Sequence, residues 1–185
     1  MKSKILGTFL MAAGLVATAG AAGRENTGPR TDADVAKSVR HEILMYSNYT
    51  LWDDISFRVQ NGSVELLGAV SQPYKKSDLE RVVQHVPGVS AVTNEIKVLP
   101  LSSFDDRLRL QVARAIYRDP TLSRYAMGAV PSIHIIVDNG HVTLTGAVNS
   151  DMEKQIAGMR ASGAGLGFGP VVNNLTVDNP RPKKS

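Results

Sequence analysis

The sequence predicts an α+β protein built from two tandem small domains, each in the order helix, strand, strand, helix, strand. Each domain is expected to have a three-stranded sheet covered by two helices. Three observations support this prediction: an internal repeat, a helical apolar pattern at the start of each copy, and an Asn-Gly hairpin signal in each copy. The 185 residues suffice for two small domains, and the 43% hydrophobic and 21% charged contents are ordinary for a folded protein.

The repeat has an offset of 78 residues over its most similar part. Asn61-Gly62 is followed by Ser-Val-Glu-Leu-Leu and Gly68-Ala69-Val70, while Asn139-Gly140 is followed by His-Val-Thr-Leu-Thr and Gly146-Ala147-Val148. The last segment of each copy matches at an offset of 79, so the second copy carries one inserted residue between the two blocks. The chain therefore contains one unit twice.

Each copy opens with apolar residues that recur three or four positions apart, as on one face of a helix. Thr31 or Asp32 can cap the first of these helices. Ser103 or Asp105 can cap the second, and Pro120 ends it. The apolar stripes are Val35, Val39 and Ile43 in the first copy and Leu108, Val112, Ala115 and Ile116 in the second.

A β-hairpin is predicted next, because Asn-Gly suits a two-residue turn in which both residues have positive φ. In the first copy this turn pairs Val59 with Val64 and Phe57 with Leu66. The same register in the second copy also puts every apolar residue on one face, which supports it strongly. The predicted buried residues are Ile55, Phe57, Val59, Val64 and Leu66, then Ile133, Ile135, Val137, Val142 and Leu144.

A second helix and a closing strand complete each copy. The closing strands are predicted at Val89–Val98 and Val171–Val177. The domains then extend over residues 31–99 and 103–178, and residues 179–185 form a basic, proline-broken tail. The apolar residues that mark the second helices are Leu79, Val82, Val83 and Val86 in the first copy and Met152, Ile156 and Met159 in the second.

The first 22 residues have the pattern of a secretory signal peptide. Lys2 and Lys4 precede an apolar run over Ile5–Val16, and small residues around Ala19–Ala22 match a cleavage site. The alternative is an uncleaved membrane anchor, but the apolar run is shorter than the roughly 20 residues that span a bilayer. We therefore interpret residues 1–22 as a signal peptide and expect an exported protein.

Composition argues against several functional classes. The sequence has no cysteine, which excludes disulfides and thiolate chemistry. The net charge of +4 resides in the leader and the tail, so the body is near neutral and nucleic acid is not an expected partner. We find no nucleophile elbow or phosphate loop, so we expect no enzyme, no cofactor and no small-molecule substrate.

No metal site is predicted either. In the predicted register His134 and His141 share the solvent face of one hairpin but stand more than ~10 Å apart, too far to bind one metal ion. Asp53 and Asp54 are interpreted as exposed loop acids rather than as a catalytic pair.

The repeated unit resembles the BON domain family. The resemblance is carried by the amphipathic first helix, by Gly68-Ala69-Val70 and Gly146-Ala147-Val148, and by the closing motif from Pro87-Gly88-Val89 to Asn94. A tandem pair behind a signal peptide is similar to the osmotically inducible periplasmic protein Y family. The resemblance implies a periplasmic location, no enzymatic activity, and association with phospholipid surfaces or envelope proteins.

The second copy departs from that closing motif. Residues 163–169 contain four glycines, which raises the entropy lost on ordering this segment. The segment is either a flexible connection without a binding role or a mobile loop that exposes Leu166 and Phe168 to a partner.

One candidate binding surface stands out, on the first helix of the second copy. At 100° per residue its arginines align on the side opposite the apolar stripe, with an aliphatic and an aromatic residue at the edge. Such a row suits an anionic lipid headgroup layer. The alternative is a solvated face with ion pairs to Asp106 and Asp119. The candidate lipid-binding residues are Arg107, Arg114, Arg118, Tyr117 and Leu110.

Two functions follow as expectations. The first is a non-enzymatic periplasmic binding protein that associates with anionic phospholipid and supports envelope integrity or a stress response. The second is a structural or assembly protein that binds an envelope protein through edge strands or helix faces. The sequence leaves the oligomeric state open.

Overall fold

The computed structural model describes residues 30–128, 130–165 and 167–178. The predicted signal peptide, Leu166 and the basic tail lie outside the described residues. The first unit contains α1 (Asp32–Met45), β1 (Asp54–Gln60), β2 (Ser63–Val70), α2 (Pro73–Gln84), β3 (Ala91–Asn94) and β4 (Lys97–Val98). The second contains α3 (Ser103–Tyr117), a short 3₁₀ helix (Ser123–Ala126), β5 (Ile133–Asp138), β6 (His141–Val148), α4 (Asp151–Ser162), β7 (Val172–Asn173) and β8 (Thr176–Val177). The predicted α+β class with two units is confirmed.

Both sheets have the same topology around a central strand. In the first unit β2 pairs with β1 antiparallel on one side and with β3 and β4 parallel on the other. In the second unit β6 pairs with β5, β7 and β8 in the same way. The outer edge of each sheet is therefore the first hairpin strand.

The closing strand, predicted as continuous, is broken into two pieces in each unit. An asparagine side chain causes the break, because it forms hydrogen bonds both with the backbone of the closing strand and with the backbone of the second helix. The Asn94 oxygen accepts a hydrogen bond from the Ile96 amide at 3.2 Å, and its nitrogen donates to the Lys76 carbonyl of α2 at 2.9 Å. Asn173 makes the same pair of bonds with Leu175 and Lys154 in the second unit.

The predicted hairpin register is confirmed in both units. Phe57 lies opposite Leu66, and Ile135 lies opposite Leu144. The turn residues Asn61 and Asn139 have φ of 51° and 50°, as this turn type requires. Of the residues predicted to be buried, all five in the second unit are buried, whereas Ile55, Phe57 and Val59 in the first are only half-buried.

An aspartate at the start of each first helix holds the hairpin turn of its own unit. The Asp32 carboxylate accepts hydrogen bonds from the Asn61 and Gly62 amides at 2.7 and 2.8 Å. Asp105 accepts the equivalent bonds from Asn139 and Gly140 at 3.0 and 2.8 Å. The helix and the turn of each unit are therefore fixed to each other.

The capping residues differ in part from those predicted. Thr31 caps α1, as expected. Ser102, rather than Ser103 or Asp105, caps α3 by accepting from the Asp105 amide. The Asp105 carboxylate is unavailable for capping because the hairpin turn occupies both of its oxygens.

Glycine is required in the middle of each central strand. Gly68 and Gly146 have φ of +107° and +102°, and a Cβ atom on either would lie 2.0 Å from the backbone oxygen of Asp54 or Ser132. No side chain fits there, which gives the Gly-Ala-Val motif its physical basis.

The predicted apolar face of α4 is wrong for its two methionines, whereas Ile156 is half-buried and packs against the core. Met152 and Met159 are 64% and 65% exposed, and the buried face consists of Glu153, Ala157 and Ala161. The helix is rotated by about 100° from the prediction, so that small residues face the core. The equivalent residues of α2 are Lys75, Leu79 and Val83.

Asp53 is not the exposed loop acid that the sequence suggested. Its side chain is fully buried and forms an ion pair with Lys75 at 2.7 Å, while Thr50 and Ser71 donate further hydrogen bonds. Burial alone would raise the pKa of Asp53, but the hydrogen bonds from Lys75, Ser71 and Thr50 outweigh it and hold the pKa below its ordinary value. The pair fixes the start of α2 beneath the loop that precedes β1.

The same loop contacts the second unit. The Leu51 carbonyl accepts a hydrogen bond from the Ile135 amide at 2.8 Å, and Trp52 packs against the core of the second unit. His134, predicted on the solvent face, is buried there with its ring 5.5 Å from that of Tyr49. Burial lowers the pKa of His134. The two units therefore share a packed contact.

Truncating a central core residue should destabilise its unit strongly. Leu66 and Leu144 have no exposed surface. We expect Leu66→Ala or Leu144→Ala to lower the free energy of unfolding by about 2–5 kcal/mol, measured by urea denaturation. Leu110→Ala, at an exposed site, should change it by less than about 0.5 kcal/mol. Equal effects at the three sites would contradict the assigned cores.

Removing the charge of Asp53 should destabilise the first unit and change its response to acid. Asp53→Asn leaves the Lys75 ammonium buried without its counter-charge, at an expected cost of about 3–5 kcal/mol. Because the pKa of Asp53 is lowered by folding, its contribution is complete above the ordinary pKa and is lost as pH falls through the folded-state pKa. The stability difference from wild type should therefore shrink between neutral pH and about pH 3.

Asp54→Asn provides the matched control, because Asp54 is the adjacent acid and is partly exposed. Denaturant unfolding of both variants at several pH values measures the effect. A pH-independent difference for Asp53→Asn would show that the pair does not act through this carboxylate.

Candidate functional site

The exposed face of α3 carries the arginine row predicted from the sequence. Arg107 and Arg114 lie on the solvent side of the helix, and Arg118 follows at its C-cap, also exposed. At 1.5 Å per residue the row extends over roughly 16 Å. Leu110 lies between the first two arginines along the helix and is 48% exposed. Cationic and aliphatic groups therefore share one accessible face.

The acids that could neutralise this row are bound elsewhere. Asp106 pairs with Arg109 at 2.5 Å, and Asp119 pairs with Arg160 at 2.8 Å. The Thr121 amide and the Arg160 guanidinium hold the pKa of Asp119 below its ordinary value, so it stays charged. Within residues 30–128, 130–165 and 167–178, the three arginines of the row form no ion pair. We call Arg107, Leu110, Arg114 and Arg118 the α3 row.

Tyr117, predicted to belong to this surface, has a different role. Its hydroxyl donates a hydrogen bond to the Ile133 carbonyl at 2.7 Å, and its ring packs against the core of the second unit. Burial raises the pKa of Tyr117 well above its ordinary value. Because the hydroxyl is engaged and the ring is half-buried, we leave Tyr117 out of the α3 row.

Sequence reasoning missed the role of Arg109. Its guanidinium is buried and joins Asp106 to the Val137 carbonyl, the latter at 2.9 Å. The sequence signal was its place beside Leu108, at the border of the apolar stripe, together with an acid three residues earlier. Arg109 is therefore a packing residue, unlike Arg107 and Arg114 of the same helix, which are solvent-exposed.

The glycine-rich segment folds back over the hairpin turn of the second unit. The Phe168 amide donates to the Gly140 carbonyl at 2.9 Å, and its ring stacks on Phe104 with centroids 5.1 Å apart. Phe168 is nevertheless 65% exposed. Beneath the segment lies a cavity of about 250 Å³, beside Ala161 of α4. The first unit has Val83, which is fully buried, at the position of Ala161.

Comparison with protein-family models identifies the repeated unit. The model described as "BON domain" matches residues 31–100 and again residues 104–179. The chain belongs to the BON domain family. The resemblance inferred from the glycine motifs and the closing asparagine is thereby confirmed, and the family is one of non-catalytic binding domains.

Solved structures and curated proteins add little to the family assignment. CdsD, a structural protein of the type III secretion system of Chlamydia trachomatis, is 14% identical over 78% of this chain and 61% of its own, with a TM-score of 0.31. A structure of the C-terminal domain of CdsD is also 14% identical, over 80% of this chain and 99% of its own, with a TM-score of 0.29. The chain thus spans less than two thirds of the first structure. A search of curated proteins found no match.

The polar clusters of the described residues are engaged within their own domains. In the part of the chain that the structure describes, no three metal-ligating side chains lie close enough to hold a metal ion. No helix within the described ranges is long and apolar enough to cross a membrane. The strongest polar constellations, Asp53 with Lys75 and Glu153 with Arg124, are fully used in hydrogen bonds within their own domains.

Proposed function

We propose that the protein is an exported, non-enzymatic binding protein of the bacterial envelope whose second BON domain contacts anionic phospholipid surfaces. In this proposal the domain associates reversibly with the membrane and supports envelope integrity or a stress response. The single observation that carries the proposal is the α3 row, in which three exposed arginines form no ion pair with any described residue although acids lie beside them in the sequence.

The energetics of the α3 row suit reversible attachment. Each arginine near an anionic surface contributes around 1 kcal/mol, so three support binding without permanent anchoring. Leu110 provides aliphatic surface that can enter the boundary between headgroups and acyl chains. Because the contact is electrostatic at an exposed face, its strength should fall as salt shortens the Debye length.

The first BON domain does not present an equivalent row. On α1 the exposed cations Lys37 and Arg40 alternate with the acids Asp34 and Glu42. An alternation of charges gives little net attraction to an anionic surface. The lipid contact is therefore assigned to the second domain.

The export part of the proposal makes a direct prediction. N-terminal sequencing of the mature protein should begin between Gly20 and Gly23, because the small residues around Ala19–Ala22 form the cleavage site. An intact Met1 on protein from the envelope fraction would indicate an uncleaved anchor and contradict release into the periplasm.

Removing the charge of the α3 row should remove lipid binding without unfolding the protein. We expect Arg107→Gln/Arg114→Gln/Arg118→Gln to weaken sedimentation with vesicles containing phosphatidylglycerol by up to about 100-fold, the equivalent of roughly 3 kcal/mol. Wild-type binding should fall with added salt and be absent on phosphatidylcholine vesicles. Circular dichroism checks that the triple variant is folded.

A matched control loses the same charge from the first domain. Lys37→Gln/Arg58→Gln/Arg81→Gln also removes three exposed cations, and it should retain most of the vesicle binding. If both triple variants lost binding equally, the effect would come from net charge and the α3 row would not be the contact surface. Undiminished binding by the α3 variant would direct attention to Phe168 or to the basic tail.

A further inference from the structure

The outer edges of the two sheets can be compared group by group, because their registers are equivalent. In an antiparallel pair, alternate residues direct both backbone groups away from the neighbouring strand. The Ile135 amide bonds to Leu51 rather than to β6, so the Ile135–Leu144 pair is of this kind. The Leu66 carbonyl likewise accepts from the Glu95 amide on the far side, so Phe57 opposite it directs its backbone groups to the open edge of β1.

In the second domain, three different groups form hydrogen bonds with the outward backbone of this edge. The Tyr117 hydroxyl donates to the Ile133 carbonyl at 2.7 Å. The Leu51 carbonyl accepts from the Ile135 amide at 2.8 Å, and Arg109 donates to the Val137 carbonyl at 2.9 Å. An edge closed at three successive outward positions is protected from pairing with another chain.

The first domain lacks the side chains that form these hydrogen bonds. Matching the buried stripes of α1 and α3 puts Leu44 at the position of Tyr117 and Ala36 at that of Arg109. Neither side chain can form a hydrogen bond. Within the described ranges no group outside the sheet forms a hydrogen bond with the outward backbone of Phe57 or Val59.

Side-chain burial shows the same difference. Ile133, Ile135 and Val137 have no exposed surface, and Leu51 and Trp52 pack against the core cluster that contains them. The equivalent residues of β1 remain half-buried although they face the core. On α1, Leu44 is 50% exposed, and Arg40 lies one turn before it on the same row of the helix. The edge of β1 and this row of α1 form an open groove.

We propose that this groove, formed by Phe57–Gln60 of β1 with Ala36, Arg40 and Leu44 of α1, binds an extended segment of a partner protein. The chain itself provides the template, since its own segment Tyr49–Trp52 occupies the equivalent edge of the second domain. The partner segment offers a backbone carbonyl to the Phe57 amide and an aliphatic or aromatic side chain to Leu44. An acidic residue beside that side chain complements Arg40. This is strand addition at a sheet edge.

The lipid contact and this groove lie in different domains, so each can fail without the other. The α3 row belongs to the second domain, and no residue of the groove is part of it. Vesicle sedimentation of every groove variant should therefore equal that of the wild type.

Amide exchange and a peptide probe test the groove on the full mature chain. In NMR hydrogen exchange, the Phe57 amide should exchange much faster than the Ile135 amide, which is bound to Leu51. The probe is a synthetic peptide with the sequence of residues 48–54, Asn-Tyr-Thr-Leu-Trp-Asp-Asp. It should slow exchange at Phe57 and cause saturable shifts there. Shifts confined to other regions would overturn the proposal.

Introducing the hydrogen-bonding side chains of the second domain at the equivalent positions of the first should close the groove. Ala36→Arg/Leu44→Tyr is expected to weaken peptide binding at least about tenfold, since one hydrogen-bonded site is blocked at each end. Lys37→Arg/Met45→Tyr adds the same residue types at exposed positions about 100° around α1 and should bind like the wild type. Equal binding by the two variants would refute the site.

A second variant tests the groove independently, so that the result does not depend on correct folding of the first variant. Val59→Pro removes an outward amide, and proline is tolerated on an edge strand. It should also weaken binding while circular dichroism stays native. If Phe57 became protected with rising protein concentration in the absence of peptide, the occupant would be a second copy of the chain, and the proposed partner segment would be wrong.

Discussion

The fold of each BON domain depends on the carboxylate that joins the first helix to the hairpin turn. Asp32 and Asp105 each accept two amides from an Asn-Gly turn, which orients the helix across the sheet. Because the turn is fixed, the register of the hairpin is fixed with it, and a slip of one residue would turn every apolar side chain outward. The closing strand and second helix then pack on a sheet whose faces are already decided.

This shared frame allows the two domains to differ at their surfaces. The second domain has Ala157 and Ala161 where the first has Leu79 and Val83, and Ala161 lines a cavity there, while the topology of the two sheets is the same. Where the first domain has Ala36 and Leu44, the second has Arg109 and Tyr117, and the hydrogen bonds of these two side chains close the edge of its sheet. The positions of Ala36 and Leu44 lie at the border of the helical stripe, where the frame tolerates both large and small residues.

Much of the fold could be predicted from the sequence because its strongest signals are local. Asn-Gly fixes a turn type, and alternation over a few residues fixes the buried face of a strand. The helix α4 was misread because its core face is made of alanines, which apolar periodicity does not distinguish, while its methionines point to solvent. The break at Asn94 was missed because it depends on a contact with α2, eighteen residues earlier in the chain.

The candidate sites divide in the same way. Exposure of the arginines on α3 follows from helix geometry alone, so their alignment could be predicted. The burial of Asp53 and His134 could not, because Asp53 is covered by Ser71 and Lys75, about twenty residues later in the chain, and His134 by a loop of the first domain. Tyr117 was assigned to the surface because its angle on the helix lies between the buried and the exposed face. Its hydrogen bond to the Ile133 carbonyl, which turns it toward the sheet, depends on the tertiary structure.

The contact between the domains connects the two proposed surfaces. The segment that seals β5 is the loop that precedes β1, so the first domain protects the edge of the second and leaves its own edge open. Arg109, Tyr117 and Leu51 form hydrogen bonds with β5, and the exposed arginines of α3 form no ion pair within the described residues. In the first domain the corresponding helix has mixed charge, and no described residue outside the sheet binds the outward backbone of Phe57 or Val59. One repeat thus yields a cationic helix face in one domain and an open strand edge in the other, which suits a protein that joins a partner to a membrane surface.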